Sequence, residues 1–118
     1  MSTSDPDCLF CKIVSGAIPS NRVYEDKDMI AFRDINPAAP THILVVPRTH
    51  IVSIAETTEA EEPLIAKLIL AANKIAMSEH VELSGYRLVI NTGKDGGQSV
   101  FHLHVHLLAG RALGWPPG

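Results

Sequence analysis

The sequence predicts an α+β fold in which an antiparallel sheet carries one long helix. Short β-prone runs outnumber helical ones, and most of the links between them are too short for parallel crossovers. A single stretch, Glu61 to Glu79, repeats its apolar residues with helical spacing. Near the C-terminus, Ser99–Leu108 instead alternates histidine with Leu103, Val105 and Leu107, the period of a strand.

In chain order, residues 1–6 read as a disordered start, and residues 7–118 as one domain. Cys8–Ser15 suits one short helix, stopped by Gly16 and Pro19. Arg22–Glu25 and Met29–Arg33 flank Asp26-Lys27-Asp28 in the pattern of a hairpin. Two prolines and an asparagine make Asp34–Pro40 a loop, whereas His42–Val46 has the β-branched content of a central strand closed by Pro47. The long helix has Leu64, Ile65, Leu68, Ile69, Ala72, Ile75 and Ala76 on one face, with Lys67, Asn73 and Lys74 opposite. Thr58 and Glu61 have capping-box spacing, and Pro63 belongs in a first turn, so Glu59, Glu61 and Glu62 are helix-start chemistry. Tyr86–Asn91 is a further strand, and the glycine-rich Thr92–Gln98 turns the chain into the histidine run.

Composition narrows the function. With 46% hydrophobic and 19% charged residues, the 118-residue chain is globular. A net charge of −3 argues against a nucleic-acid surface but leaves room for a single nucleotide. The apolar runs are too short to span a bilayer, and no secretory signal precedes Cys8, so a cytoplasmic protein without membrane contact is expected. In that compartment the Cys8-x-x-Cys11 pair implies metal binding, redox chemistry or packing rather than a disulfide; its neighbours do not resemble a thioredoxin-like context.

On a strand, His102, His104 and His106 line one face with Cα atoms about 6.6–6.8 Å apart, and Phe101, Leu103, Val105 and Leu107 line the core side. Three ligands spread along about 13 Å of straight strand do not converge on one ion, which disfavours a catalytic three-histidine metal site. Neutral imidazole is a nucleophile, and a second histidine beside it can move a proton, so the row suits phosphoryl or nucleotidyl transfer through a phospho-histidine. The adjacent Asn91–Ser99 loop reads equally as a hairpin turn and as a glycine-lined phosphate cradle; it lacks the Lys-Ser/Thr and the following helix of a P-loop. The residues alone do not select one histidine as nucleophile.

His102-Leu103-His104-Val105-His106-Leu107-Leu108 resembles the signature of the histidine triad family. Its Hint branch is resembled further by Phe32–Pro37, Pro40-Thr41-His42, Val46-Pro47, Asn91-Thr92-Gly93, Gly96–Ser99 and the closing Gly114-Trp-Pro-Pro-Gly118. The resemblance implies a five-stranded antiparallel sheet per subunit and a homodimer joined into a ten-stranded sheet. It also implies hydrolysis of the P–N bond in purine nucleoside 5′-phosphoramidates of the AMP or GMP type. His104 would be the nucleophile, His106 and Ser99 would contact phosphate and leaving group, and His42 would support them. Asp34 would bind the ribose hydroxyls, Phe32 and Ile35 would wall the base, and Asn91 with the backbone of Gly97, Gln98 and Ser99 would contact the phosphate. The tail around Trp115 would reach towards the partner's site or pack as a terminal plug.

Related members with two such cysteines imply a structural Zn²⁺ on Cys8, Cys11, His50 and His102, His50 filling the Pro-x-x-His position from Pro47; reduced, unliganded cysteines are the alternative. No cofactor is expected in the chemistry itself. Two other functions compete: a nucleotide-binding scaffold with little turnover, and a dinucleoside polyphosphate hydrolase. His80, near the helix end, is expected to face solvent.

Overall fold

The computed structural model describes residues 4–118. Helix α1 (Leu9–Ser15) begins with Cys8 as its N-cap, whose thiol accepts from the Cys11 N–H. Gly16 closes it with φ 86°, the left-handed conformation that an αL cap requires. The Arg22 guanidinium donates to the carbonyls of Ile13 (2.7 Å) and Val14 (3.2 Å), satisfying groups that the helix end leaves open. Of the expected flexible start, residues 1–3 lie outside the described residues, while the Asp5 carbonyl accepts from the Cys8 N–H at 3.0 Å.

Strands β1 (Arg22–Glu25) and β2 (Met29–Arg33) form the expected hairpin. Its turn is held by the Asp26 carboxylate, which accepts from the N–H groups of Asp28 and Met29 and from the Tyr24 hydroxyl. Strand β3 (Thr41–Pro47) extends the sequence reading by one residue at each end, and Pro47 closes it opposite Met29. The capping box at Thr58 holds a 3₁₀ turn, Glu59–Glu61, that leads into helix α2 (Glu62–Ser78) with Pro63 in the first turn. β4 (Tyr86–Val89) is two residues shorter than expected. β5 (Val105–Ala109) then inserts between β3 and β4, giving an antiparallel sheet of five strands in the order β1-β2-β3-β5-β4.

The alternation of strand side chains divides the interior in two. Met29, Ala31, Ile43, Val45, Val105, Leu107 and Ala109 face Leu68, Ala71, Ala72, Ile75 and Ala76 of α2. On the other face Ile30, Phe32, Leu44 and Val46 pack against Cys8, Phe10, Cys11 and Ile13 of α1 and its cap. Among the described residues no helix is long and apolar enough to cross a membrane. His80 is exposed just beyond α2, with φ 60°.

The histidine run departs from the sequence reading. Only Val105 onward is strand; residues 99–104 have no ladder partner, because β3 pairs with β5 only as far as Val45↔Val105. Those residues are pinned by other means, including Leu103 N–H to the Ile51 carbonyl at 2.6 Å. Phe101, expected on the core face, is consequently 57% exposed, while Leu103 and Leu107 are buried beneath α2. Leu107→Ala is therefore expected to cost about 2–5 kcal/mol, and Phe101→Ala to stay within about 0.5 kcal/mol. Urea midpoints at unchanged slope measure both, and equal losses contradict this division of the run.

Candidate active site

Because the strand starts late, the three histidines do not form one row. His106, on β5, points to the α1 face together with His42 of β3, its diagonal neighbour in the ladder. The His42 Nε2 lies 2.9 Å from His106 Nδ1. The Ala38 N–H donates to His42 Nδ1 at 3.0 Å. A backbone N–H only donates, so neutral His42 keeps its proton on Nε2 and gives it to His106 Nδ1. That leaves neutral His106 with its own proton on Nε2. Asp34 Oδ2 stands 3.5 Å from His42 Nε2, a countercharge for any positive charge on the pair.

The same reasoning gives His104 the opposite tautomer. Its Nδ1 lies 2.7 Å from the His102 carbonyl, which only accepts, so the proton is on Nδ1 and Nε2 carries an available lone pair. The two rings meet edge to face with centroids 4.9 Å apart. A bare nitrogen thus sits beside an N–H donor, the pairing that nucleophilic displacement with proton delivery requires.

Burial keeps these rings neutral. It is the largest influence on each, lowering His42 and His104 from the ordinary histidine value and pushing His106 down to about 4. The neighbouring imidazoles act in the same direction on His106 and Asp34 acts against them.

His104 and His106 open onto a cavity of about 330 Å³ whose wall includes Phe32, Asp34, Ile35 and Ser99. Six of the expected site residues therefore share one concavity. Asn91, Gly97 and Gln98 are not on its wall; they build the turn behind it. Asn91 donates to the Gly96 carbonyl, Gly97 N–H to Lys94, and Gln98 N–H to Gly93. The buried Gln98 side chain accepts from Gly93 N–H and donates to the Val52 and Val100 carbonyls, which pegs the turn. Gly97 holds φ 81° in that turn. His42 lies behind His106 rather than on the wall.

Sequence reasoning missed the opposite wall, formed by Leu9, Phe10, Ile13 and Ile18 from α1 and the residues after it. The apolar pair between the two cysteines was its only trace, since the contact is made across the fold. Trp115 is 83% exposed, which removes the reading as a packed plug within this chain; Gly114 beside it accepts from Arg87.

His102 is fully buried and turned away from the cavity. Its Nε2–H donates to the Pro47 carbonyl at 2.8 Å, which bares Nδ1 towards Cys8 Sγ (3.4 Å), Cys11 Sγ (3.5 Å) and His50 Nδ1 (3.2 Å). Cys11 Sγ lies 3.3 Å from His50 Nδ1, and all four donor atoms fall within 4.8 Å of one another. Tetrahedral Zn²⁺ with its usual bond lengths needs edges of about 3.3 Å between nitrogens and about 3.6 Å between nitrogen and sulfur. The donor set fits, and the His102-to-carbonyl bond is the outer contact that fixes a metal-binding tautomer. Burial raises the Cys11 thiol, so a cation entering this site displaces protons.

A sheet of this topology, with a histidine cluster split between a cavity and a Cys₂His₂ pocket, defines a histidine triad protein. Residues 15–113 match the HIT domain family model, and the chain belongs to that family. It is 49% identical to a HIT family hydrolase from Legionella pneumophila Philadelphia 1, whose crystal structure superposes with a TM-score of 0.94 over 95% of this chain and 100% of that one. It is 47% identical to the 14 kDa zinc-binding protein of Zea mays, over 97% of this chain and 90% of the relative. A Zn-bound histidine triad family protein from Mycobacterium smegmatis is 35% identical, with a TM-score of 0.79 over 95% of this chain and 80% of that chain.

The lowered pKa values make a signed prediction. Between about pH 6.5 and about pH 4 the unfolded chain binds protons that His106 refuses in the fold. This contribution to stability is complete above pH 6.5 and is lost as pH falls through the window; burial of His42 and His104 acts in the same sense. An NMR titration of the His106 ring is expected to give a midpoint near 4. A midpoint at the ordinary histidine value contradicts the buried neutral pair.

Proposed function

We propose that this protein hydrolyses purine nucleoside 5′-phosphoramidates, of the AMP or GMP type, through a nucleotidyl-histidine on His104. The observation that carries the reading is the pair of opposed tautomers at the cavity: bare Nε2 on His104 beside Nε2–H on His106. Hydrolase relatives support the broader class.

In this reading the base lies against Phe32, Ile35 and the α1 wall, Asp34 receives the ribose hydroxyls, and Ser99 meets the phosphate. The substrate's negative charge raises the proton affinity of the His42–His106 pair, which takes up one proton at His106 Nδ1 as the His42 Nε2–H turns from that nitrogen to Asp34 Oδ2, the countercharge 3.5 Å away. His104 Nε2 attacks the α-phosphorus and forms a P–N bond as the substrate's P–N bond breaks. The leaving nitrogen takes the proton from His106 Nε2 and departs as the amine. Water then attacks the same phosphorus, its proton returns to the His42–His106 pair, and His104 leaves as neutral imidazole. Each turnover yields one nucleoside monophosphate and one amine. Asn91, Gly97 and Gln98 shape the turn that presents Ser99.

Cys8, Cys11, His50 and His102 would hold Zn²⁺, and the metal, when bound, supplies cross-linking of the chain rather than reaction chemistry. Four protein donors leave no open position for substrate. The donor geometry and the two zinc-associated relatives support this assignment. A thiol-dependent centre suits the reducing cytoplasm. We place the protein there as a homodimer, in which β4, one of the two edge strands of the sheet, would pair with its counterpart.

His104→Ala is expected to lower phosphoramidate turnover by at least about 10³-fold, with secondary structure unchanged and about one zinc retained per chain. Steady-state amine release and metal analysis of the same samples provide the check. Surviving turnover removes the nucleophile assignment, and less than about one zinc per four chains removes the tightly held metal.

A further inference from the structure

Phe10 occupies an unusual position: it lies between the two cysteines of one site and against the nucleophile of the other. Its backbone is held on both sides, because Cys8 caps α1 and Cys11 stands one residue further on, both thiols pointing into the Cys₂His₂ pocket. Its ring is 4% exposed and packs edge to face on three partners. Centroids lie 5.0 Å from His104 at 81°, 5.5 Å from Phe32 at 82°, and 6.0 Å from His102 at 64°. The Nδ1–H bond of His104 fixes one edge of its imidazole, but a single hydrogen bond leaves the ring free to tilt about that contact. The Phe10 and His106 rings both pack edge to face against it and restrict that tilt.

Helix α1 has only seven residues, too few to be stable by propensity, so its place depends on what ties its ends. Arg22 ties the C-terminal end. At the N-terminal end the polar ties within the chain are the Cys8 N–H bond to Asp5 and sulfur contacts of 3.3–3.5 Å, beside the packing of Cys8, Phe10 and Cys11 on the sheet. A cation bound by Cys8 and Cys11 would replace weak sulfur hydrogen bonds with metal–ligand bonds, and Phe10 would be fixed as a consequence.

We propose that Phe10 is a positioning residue that couples the two sites: metal bound at Cys8, Cys11, His50 and His102 locks its ring, and the ring holds His104 in line with the phosphorus. The coupling rests on the nucleophile reading for its catalytic consequence but not for its structural one. A misalignment of about 1 Å at a reacting atom costs up to about 10²-fold in rate. Metal occupancy therefore acts on kcat although no metal touches the substrate.

The test compares the wild-type protein and Phe10→Leu, each zinc-loaded and after zinc removal by a chelator. The His104 ring C–H resonances are read by NMR, and kcat and KM are measured on a phosphoramidate. In the wild type, zinc removal is expected to shift or broaden the His104 resonances and lower kcat about tenfold, with KM changing less than about threefold. In Phe10→Leu the resonances are already displaced, kcat is already low, and zinc removal adds less than about twofold. Wild-type His104 resonances indifferent to zinc overturn the proposal without reference to activity or to any variant. Equal chelator effects on kcat in both proteins overturn Phe10 as the link. If the resonances respond as expected while kcat is constant throughout, the nucleophile reading falls and the catalytic part of the proposal falls with it. Should Phe10→Leu not fold, Phe10→Met takes its place in the same four-way comparison.

Discussion

The carbonyl of His102 accepts from His104 Nδ1 at 2.7 Å, and through that one bond the backbone decides what two histidines can do. It protonates His104 on the nitrogen remote from the cavity and so bares Nε2. It also belongs to the residue whose own Nε2 is tied to Pro47, with Nδ1 aimed at the cysteines. Had residues 102–104 continued the ladder of β5, this carbonyl would have been spent on a neighbouring strand. The irregular backbone is thus what divides a repetitive motif into a metal-binding ring and a nucleophilic one.

The sheet makes the division affordable in stability. Strand β3 is buried on both faces and β5 on one, and alternation along β5 sends Val105 and Leu107 under α2 while His106 turns towards α1. Buried imidazoles that are neutral and hydrogen-bonded avoid the large cost of buried charge. Each of the four rings His42, His102, His104 and His106 has a bond to backbone or to another ring that sets its tautomer. The tautomers are therefore set before any substrate arrives, and the rings stay neutral until an anion supplies the balance.

Most of the framework was legible in the chain. The 3.6-residue period located α2, because that helix buries one continuous stripe; β-prone runs bounded by turn residues located β2 and β3, and Thr58 with Pro63 marked where the long helix begins. The pairing of β5 between β3 and β4 was carried by the family resemblance rather than by any local signal, since strand order is a long-range property. Phe101 was misplaced because alternation was extended into a segment that lacks a partner strand. Gln98 entered through the family resemblance as part of a phosphate-contacting backbone; that its side chain also pegs the turn is something only its hydrogen bonds reveal. Phe10 was overlooked for a related reason: a lone aromatic between two cysteines carries no periodic signature, and its meaning lies in rings more than ninety positions away.

Backbone contacts impose opposite tautomers on adjacent rings, and long-range ¹H–¹⁵N NMR of the histidine side chains at neutral pH reads them directly. The account requires His104 protonated on Nδ1 and bare on Nε2, with His106 protonated on Nε2. A spectrum showing His104 protonated on Nε2 would contradict it, because the nitrogen facing the cavity would then have no lone pair to offer.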